Sequence, residues 1–393
     1  MSHVQTLRAG WVFPVAGPPL RDAVVTWSGG VIEEVAPYRG QGVTVHFPSA
    51  AVIPGLVNAH IHLDLTHLGG RCPPGADFTG WLRIVIRLRR ASTPEEVQAG
   101  IRAGVAESLA AGVTTVGDID GGGDAAQILA QQPLRAVVFR ELLGLPAVSA
   151  ERSRAEAERW LAQPAGGRVL RGLSPHAPYS THRSLWQWAD QQAVHVATHL
   201  AESPTELELL AHHAGPFVSF LKDLGVWAPE GLLAGVEEPL RAASRPWLVA
   251  HGNYFPAPAW PVLHRHHVVY CPRTHAAFGH APHPFADMFQ AGINVALGTD
   301  SRASNPDLDL WQEVRLLWSR WPASLPPSEL LAMATRRGAL ALGQADAGTL
   351  TPGAPADLVV MPLAGEGGVD PYEQLFAATG AGRRVLLAGE WID

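Results

Sequence analysis

From residue 51 onward the chain alternates short β-branched runs with longer stretches rich in helix formers, a rhythm that limits the fold more than any other feature of the sequence. Parallel strands joined by helical crossovers produce this pattern, because each crossover must carry the chain back along the sheet. Eight strand-like runs follow one another: AAVIPGLVNAH, VTTVGDID, LRAVVFREL, RVLRGLSPH, VHVATHL, PWLVAHGNY, HVVYCPR and INVALGTDS. Segments such as TPEEVQAGIRAGVAESLAAG separate them. Eight such units over about 250 residues match an α/β fold of the (β/α)8 TIM-barrel type. An open doubly wound sheet is the alternative, but no G-x-G-x-x-G follows any strand, and the GGG at 121–123 is a lone loop signal.

The flanks differ. Residues 4–50 and 348–393 read as short strands broken by Gly/Pro turns, and neither segment is large enough to close a core alone. The expected organisation is a small β-sandwich-like domain built from both termini, residues 1–50 and 348–393, around a catalytic barrel of residues 51–347. Within the barrel, residues 203–243 are rich in helix formers. Ser203, Pro204 and Glu206 in SPTELELL read as N-cap, first-turn proline and capping-box acid.

With 47% hydrophobic and 17% charged residues among 393, the chain has the composition of a globular protein with a large core. The start MSHVQTLRAGWVFPV lacks a basic segment leading into an apolar one, and no later apolar run approaches ~18 residues, so no membrane partner is expected and the cytoplasm is the expected compartment. Cys72 and Cys271 are too few for a disulfide framework, so a metal would draw on His, Asp and Glu. A net charge of -7 without a Lys/Arg-rich stripe argues against nucleic acid. Lys222 is the only lysine.

The stretch PGLVNAHIHLDL at 54–65 places His60 and His62 at the end of an apolar run. Roughly one His-x-His pair is expected by chance among 18 histidines, and His264 and His266 in VLHRHHVVY have the same spacing. Context separates the two pairs. Residues i and i+2 of a strand share a face, so His60 and His62 project together. His264 and His266 sit beside Arg265 and His267 where a helix reads as ending, and are expected to be solvated there.

In a barrel the C-terminal strand ends form the active face. In order those ends carry His60 and His62, His176, His199 with Glu202 three residues on, His251, and Asp300. A catalytic zinc takes three or four N/O ligands and keeps room for water. His60, His62, His199 and Asp300 supply such a set from three strands, with iron the alternative ion because it accepts the same donors.

The stretches NAHIHLDL, SPHAPYS, THLAES, VAHGNY and LGTDSRASN, in this order over most of the chain, resemble the amidohydrolase superfamily. The nearest likeness is to its cytosine, guanine and S-adenosylhomocysteine deaminase and triazine chlorohydrolase branch. That resemblance implies that His60, His62, His199 and Asp300 are metal ligands, that Glu202 is the proton shuttle, and that His251 is a partner of the hydrolytic water or substrate. Asp300 then also serves catalysis by accepting the water's proton. Binuclear members bridge two ions with a carbamylated lysine at a strand end. Lys222, in the helical stretch SFLKDLGV, is misplaced for that, so a single divalent ion, zinc by preference, is expected.

The small-molecule substrate implied is an aminated purine-type ring, with an adenine nucleoside derivative the first choice. His176 in SPHAPYS is expected to donate to a substrate heteroatom, and Arg140 at the end of the third strand to contact an anion or ribose. Trp81, Arg83 and Arg87 in FTGWLRIVIRLRR would lie near the mouth, and arginines there suggest a bulky substrate with an acidic end. Among the branch's substrates 6-aminodeoxyfutalosine, which joins adenine, ribose and a carboxyphenyl group, fits best. Deamination of guanine or of S-adenosylhomocysteine/methylthioadenosine, triazine dechlorination and imidazolone ring opening are the alternatives. An inactive metal-binding paralogue is the non-enzyme alternative, and the presence of Glu202 argues against it. The segment LWQEVRLLWSRW reads either as a homodimer face or as packing of an outer helix.

Overall fold

The computed structural model describes residues 4–75, 77–164, 166–363 and 370–392. Its strands, in chain order, are β1 (Gln5–Val12), β2 (Leu20–Ser28), β3 (Val31–Pro37), β4 (Val45–Pro54), β5 (Leu56–His62), β6 (Val113–Asp120), β7 (Arg135–Leu142) and β8 (Val169–Pro175). There follow β9 (His195–Leu200), β10 (Leu248–His251), β11 (His267–Tyr270), β12 (Asn294–Leu297), β13 (Asp300–Ser301), β14 (Leu358–Pro362), β15 (Arg384–Leu387) and β16 (Glu390–Ile392).

Strands β5 to β12 run parallel, each beside the next in sequence, and β13 turns back to pair with β5 through Asp300 to Ile61 and Ser301 to His62. The eighth strand position is thus split between β12 and β13, and the ring closes. Asn58 fastens the seam, since its amide donates to Thr299 Oγ1 at 2.7 Å while its carbonyl accepts from Thr299 N at 3.1 Å. Gly298 is required there because a Cβ would come within 2.8 Å of the His60 carbonyl oxygen. Val57, Ala59, Ile119, Val137, Phe139, Ala197, Leu248, Val269 and Ala296 form a separate buried cluster drawn from alternate positions of the barrel strands. Fully burying each Val, Leu, Ile or Phe side chain among them stabilises by about 1.5–3 kcal/mol.

The remaining strands form a seven-stranded sheet in the order β16-β15-β14-β4-β1-β2-β3, so both ends of the chain meet in it. The run AAVIPGLVNAH, read from the sequence as one barrel strand, is two. Its first part belongs to β4 in the terminal sheet and its second is β5, with Gly55 between, where a Cβ would run into Thr114 Oγ1. The misreading has a physical cause. β4 turns Ala50 and Val52 into the sheet's own core and Ala51 and Ile53 into the barrel's outer core, and a strand buried on both faces has the same unbroken apolar pattern as a barrel strand.

The aromatic density of LWQEVRLLWSRW is explained by packing within the chain. Trp311 is buried and donates Nε1–H to the Ala378 carbonyl at 2.8 Å, Trp318 lies on Phe376, and Trp321 stacks on Phe285. Among the described residues no helix is long and apolar enough to cross a membrane.

His266 corrects the sequence reading. His264 is exposed as expected, but His266 is buried, its Nδ1 accepting from Trp247 N at 3.0 Å and its Nε2 donating to the Leu240 carbonyl at 3.1 Å. Burial pushes its pKa down to about 4. An unfolded chain binds a proton at an ordinary histidine near pH 6.5 while this native ring stays neutral, so stability contributed here is lost as pH falls from about 6.5 toward 4. Replacing His266 by Gln should therefore narrow the drop in melting temperature between pH 7 and pH 5. Equal drops in variant and parent would refute this role.

Candidate metal centre and active site

The barrel gathers four imidazoles and one carboxylate at the C-terminal ends of its strands. His62 Nε2 lies 3.3 Å from His199 Nε2, and Asp300 Oδ1 lies 3.5 Å from His62 Nε2 and 3.7 Å from His60 Nε2. His60, His199 and His251 form one group, and His60, His62 and Asp300 another, whose ligand atoms lie within 4.8 Å of one another. Zinc–ligand bonds of about 2.0–2.1 Å at tetrahedral angles set neighbouring donor atoms about 3.3 Å apart, so the spacing suits one ion. His60 makes the strongest case. It is fully buried and neither ring nitrogen has a hydrogen-bond partner among the described residues, a condition that costs about 1–3 kcal/mol per orphaned group unless a cation satisfies it.

The protonation states agree with ligation. Burial, with the neighbouring imidazoles adding, holds His62 at about 3 and His199 and His251 well below the ordinary histidine value, so their rings are neutral. Burial opposes ionisation of Asp300, yet the facing rings of His60, His251 and His62 outweigh it and keep the carboxylate below its usual range. The His199 Nδ1–H donates to the His176 carbonyl at 3.0 Å, which leaves Nε2 free to face the cluster. Ser304 Oγ donates to Asp300 Oδ2 at 2.8 Å and fixes that carboxylate's second oxygen.

Glu202 stands beside this cluster, its Oε1 3.5 Å from His251 Nε2. Burial first, then the charges of Asp300 and Glu206, push its pKa well above the usual carboxylic range, so it can hold a proton near neutral pH. Its placement comes from a turn made by two motifs. Asn253 donates to the Glu202 carbonyl at 3.0 Å and Tyr254 N to the Ala201 carbonyl at 2.9 Å, so the end of β10 ties down the end of β9. Ser203 caps the following helix Pro204–His212 by accepting from Glu206 N. Glu206, however, does not complete a capping box. Its carboxylate accepts from Ala201 N at 2.7 Å and Glu202 N at 3.1 Å, clamping a turn in which Ala201 has φ +52°.

A cavity of about 380 Å³ opens from the cluster, with His62, His176, His199, Glu202, His251 and Asp300 at its polar end. Phe78, Trp81, Leu82, Val85 and Ile86, from helix Phe78–Ala91, form one wall. Tyr179, Phe220, Leu221, Leu224 and Val226 form the other.

Comparison with known proteins settles the family. The model of the amidohydrolase family matches residues 51–392. The chain belongs to the amidohydrolase family. It is a hydrolase of carbon–nitrogen bonds. It is 31% identical over 331 residues to a 5-methylthioadenosine/S-adenosylhomocysteine deaminase of Syntrophomonas wolfei, covering 79% of this chain and 73% of that protein. The structure of an adenosine deaminase from Xanthomonas campestris, solved with zinc bound, superposes with a TM-score of 0.80 at 27% identity over 98% of this chain and 92% of the other. The aminofutalosine deaminase of Helicobacter pylori has the same fold, with a TM-score of 0.83 at 24% identity over 99% and 100% of the two chains.

The walls of this amidohydrolase site differ from the sequence reading in three places. Arg140 does not reach the cavity, because its guanidinium donates to the Gly121 carbonyl at 2.6 Å and faces Glu156. Its neighbour Glu141 lines the cavity instead, as strand alternation requires of adjacent residues. Arg83 pairs with Asp223 at 2.8 Å near the surface and Arg87 is exposed, whereas Arg89, two residues beyond Arg87, lines the cavity and bridges Asp64 at 2.9 Å and Glu141 at 3.4 Å. Trp81 lines the cavity as expected, anchored through Nε1–H to the Cys72 carbonyl at 2.9 Å. His176 does too, with Nδ1 2.6 Å from Ser180 Oγ. Lys222 is exposed and does not line the cavity.

Two measurements follow. Elemental analysis of the purified protein should find about one divalent ion per chain, lost in His60→Ala, and chelation should lower the melting temperature of the parent but not of that variant. Glu206→Gln should keep the ion and its KM while kcat falls about 10–100-fold, because the clamp on the Glu202 turn is halved. An unchanged kcat would show that Glu206 does not position Glu202.

Proposed function

We propose that this amidohydrolase is a hydrolytic deaminase of adenine nucleosides, with 6-aminodeoxyfutalosine the preferred substrate. The observation that carries the reading is Glu202, a buried carboxyl group disposed to hold a proton, 3.5 Å from His251 and beside an ionised Asp300 at the head of an apolar-walled cavity. One group pushed up and one held down, side by side, divide acid and base roles between them.

A divalent ion held by His60, His62, His199 and Asp300, zinc by preference, would supply Lewis acidity and make a water acidic enough to react near neutral pH. With that ion bound, Asp300 would accept a proton from the water and the neutral His251 ring would hold the water in line. Glu202 gives a proton to the ring nitrogen next to the amine-bearing carbon, which makes that carbon electrophilic. It then takes the water's second proton and passes it to the departing amine, which leaves as ammonia, and Asp300 returns the first proton to Glu202, so both carboxyl groups end as they began. Apolar walls exclude competing water from the ring.

The nucleoside reading is supported by the names of the relatives that match, a methylthioadenosine/S-adenosylhomocysteine deaminase and an adenosine deaminase. The aryl extension is supported by the cavity itself. Phe78, Trp81 and Phe220 offer aromatic surface, and Arg83 lies over the Phe220 ring with its guanidinium carbon 5.2 Å from the centroid. Its present partner, Asp223, is more than half exposed, and such a surface pair is worth only about 0–1 kcal/mol, so Arg83 can turn to a substrate carboxylate. Methylthioadenosine or S-adenosylhomocysteine as substrate is the second reading, favoured by the 31% identity.

Ammonia release should be measured with 6-aminodeoxyfutalosine, methylthioadenosine, S-adenosylhomocysteine, adenosine and guanine, and chloride release with a chlorotriazine. The expected order puts the first compound highest in kcat/KM. Glu202→Gln should retain metal and lose about 10²–10⁴-fold in kcat. Metal-loaded protein that releases ammonia from no adenine nucleoside would overturn the proposal.

A further inference from the structure

Glu141 is a cavity-lining carboxylate that the hydrolytic chemistry above does not use. It lies near the end of β7, is buried, and has been set rather than left free: Arg89 contacts its Oε2 at 3.4 Å, and Arg89 is itself anchored by the shorter 2.9 Å contact to Asp64, whose Oδ2 also accepts from Gly121 N. No described residue hydrogen-bonds to the other oxygen, Oε1; His176 Nε2 faces it at 3.7 Å, beyond bonding distance. Burial disfavours the charge, but His176 and Arg89 outweigh it and hold Glu141 below the ordinary glutamate range. An ionised oxygen facing a largely apolar cavity without a donor calls for a ligand that brings one.

We propose that Glu141, positioned by Arg89, accepts hydrogen bonds from the sugar hydroxyls of the nucleoside substrate and so selects ribosides over deoxyribosides. This deepens the deaminase reading and rests on it. An N9-substituted adenine has one N–H donor group, its amine, and that end belongs beside Glu202 and Asp300. Glu141 is the penultimate residue of β7 and Glu202 follows β9, two strand spacings apart, or roughly 10 Å at 4.7–4.9 Å per strand. With the amine at Glu202, the sugar on the opposite edge of the base falls toward Glu141, and the hydroxyls are the remaining donors. His176 lies on β8's end between the two, where Nε2 can share the same hydroxyl or meet the ring.

The test uses metal-loaded wild type, Glu141→Gln and Glu141→Ala with adenosine, 2′-deoxyadenosine and 3′-deoxyadenosine. Each is assayed as substrate, and as a competitive ligand against whichever adenine nucleoside is turned over best. Hydrogen bonds to a charged acceptor predict that wild type loses about 10–100-fold in kcat/KM or affinity when the contacted hydroxyl is removed. In Glu141→Ala that discrimination should shrink below about threefold, and in Glu141→Gln, which keeps one acceptor in the same shape, it should be intermediate. The Gln variant also covers the case in which the Ala variant fails to fold. Wild type that does not discriminate, or variants that discriminate as strongly as wild type, would overturn the role of Glu141 while leaving deamination standing. A wild type that releases ammonia from none of the nucleosides would overturn the deaminase reading and this inference with it.

Discussion

The seam between β13 and β5 decides whether this molecule has an active site. Asp300 reaches the histidines of β5 only because the eighth strand breaks after Leu297, turns through Gly298 and Thr299, and pairs again beside Ile61 and His62. Its backbone sits at φ +59°, and His251 and Ala201, at two other strand ends, have φ +67° and +52°. Non-glycine residues in such conformations cost about 1–3 kcal/mol each and persist only where surroundings over-determine them. Here the surroundings are specific. Asn58 with Thr299, Asn253 with Glu202, Glu206 with the Ala201 turn, and His283 with the His251 carbonyl at 2.9 Å hold three strained strand ends toward one point.

The same crowding sets the charges. In a space with little water, neighbouring acids cannot all ionise, and the structure separates them by what each one faces. Asp300 faces imidazoles and stays charged; Glu202 faces Asp300 and Glu206 and tends to stay protonated. A second acid group repeats the division across the cavity. Burial pushes Asp64 up to about 7 despite Arg89, while Glu141, which faces both His176 and Arg89, is held down. Arg89 thus stands between a carboxyl group near its titration point and a firm acceptor at the cavity's edge.

Much of this was legible in the chain. The alternation of strands and helices gave the barrel, and the strand-end histidines with Glu202 and Asp300 marked the cluster, because strand ends in a barrel converge and chemistry there uses few residue types. What escaped depended on which side a residue faces. Arg140 and Glu141 are adjacent, and a strand end read without its register cannot say which of the two points inward. The same applies to Arg83, Arg87 and Arg89 on an amphipathic helix whose rotation the pattern leaves open to about one residue. His266 escaped for a different reason. Its bonds run to Trp247 and Leu240, and nothing local in HRHHVV announces partners 19 and 26 residues away. The run through β4 and β5 failed as one strand because burial on both faces erases the alternation that would have marked a change of sheet.

The division between what was read and what was missed follows the division between reaction and recognition. The groups to which the proposed chemistry gives the reacting carbon sit on the strand ends of the ring, where a shift of one residue would destroy the cluster, so they are written in short motifs. The rest of the cavity wall stands mostly on helix Phe78–Ala91, on helix Pro216–Asp223 and on the loops after the strands, where apolar side chains serve packing as well as lining. A barrel of this kind can therefore keep its hydrolytic centre and alter its substrate through walls that carry no motif, and Glu141 matters because it is the point where a strand end, with its fixed geometry, enters the recognition side of the cavity.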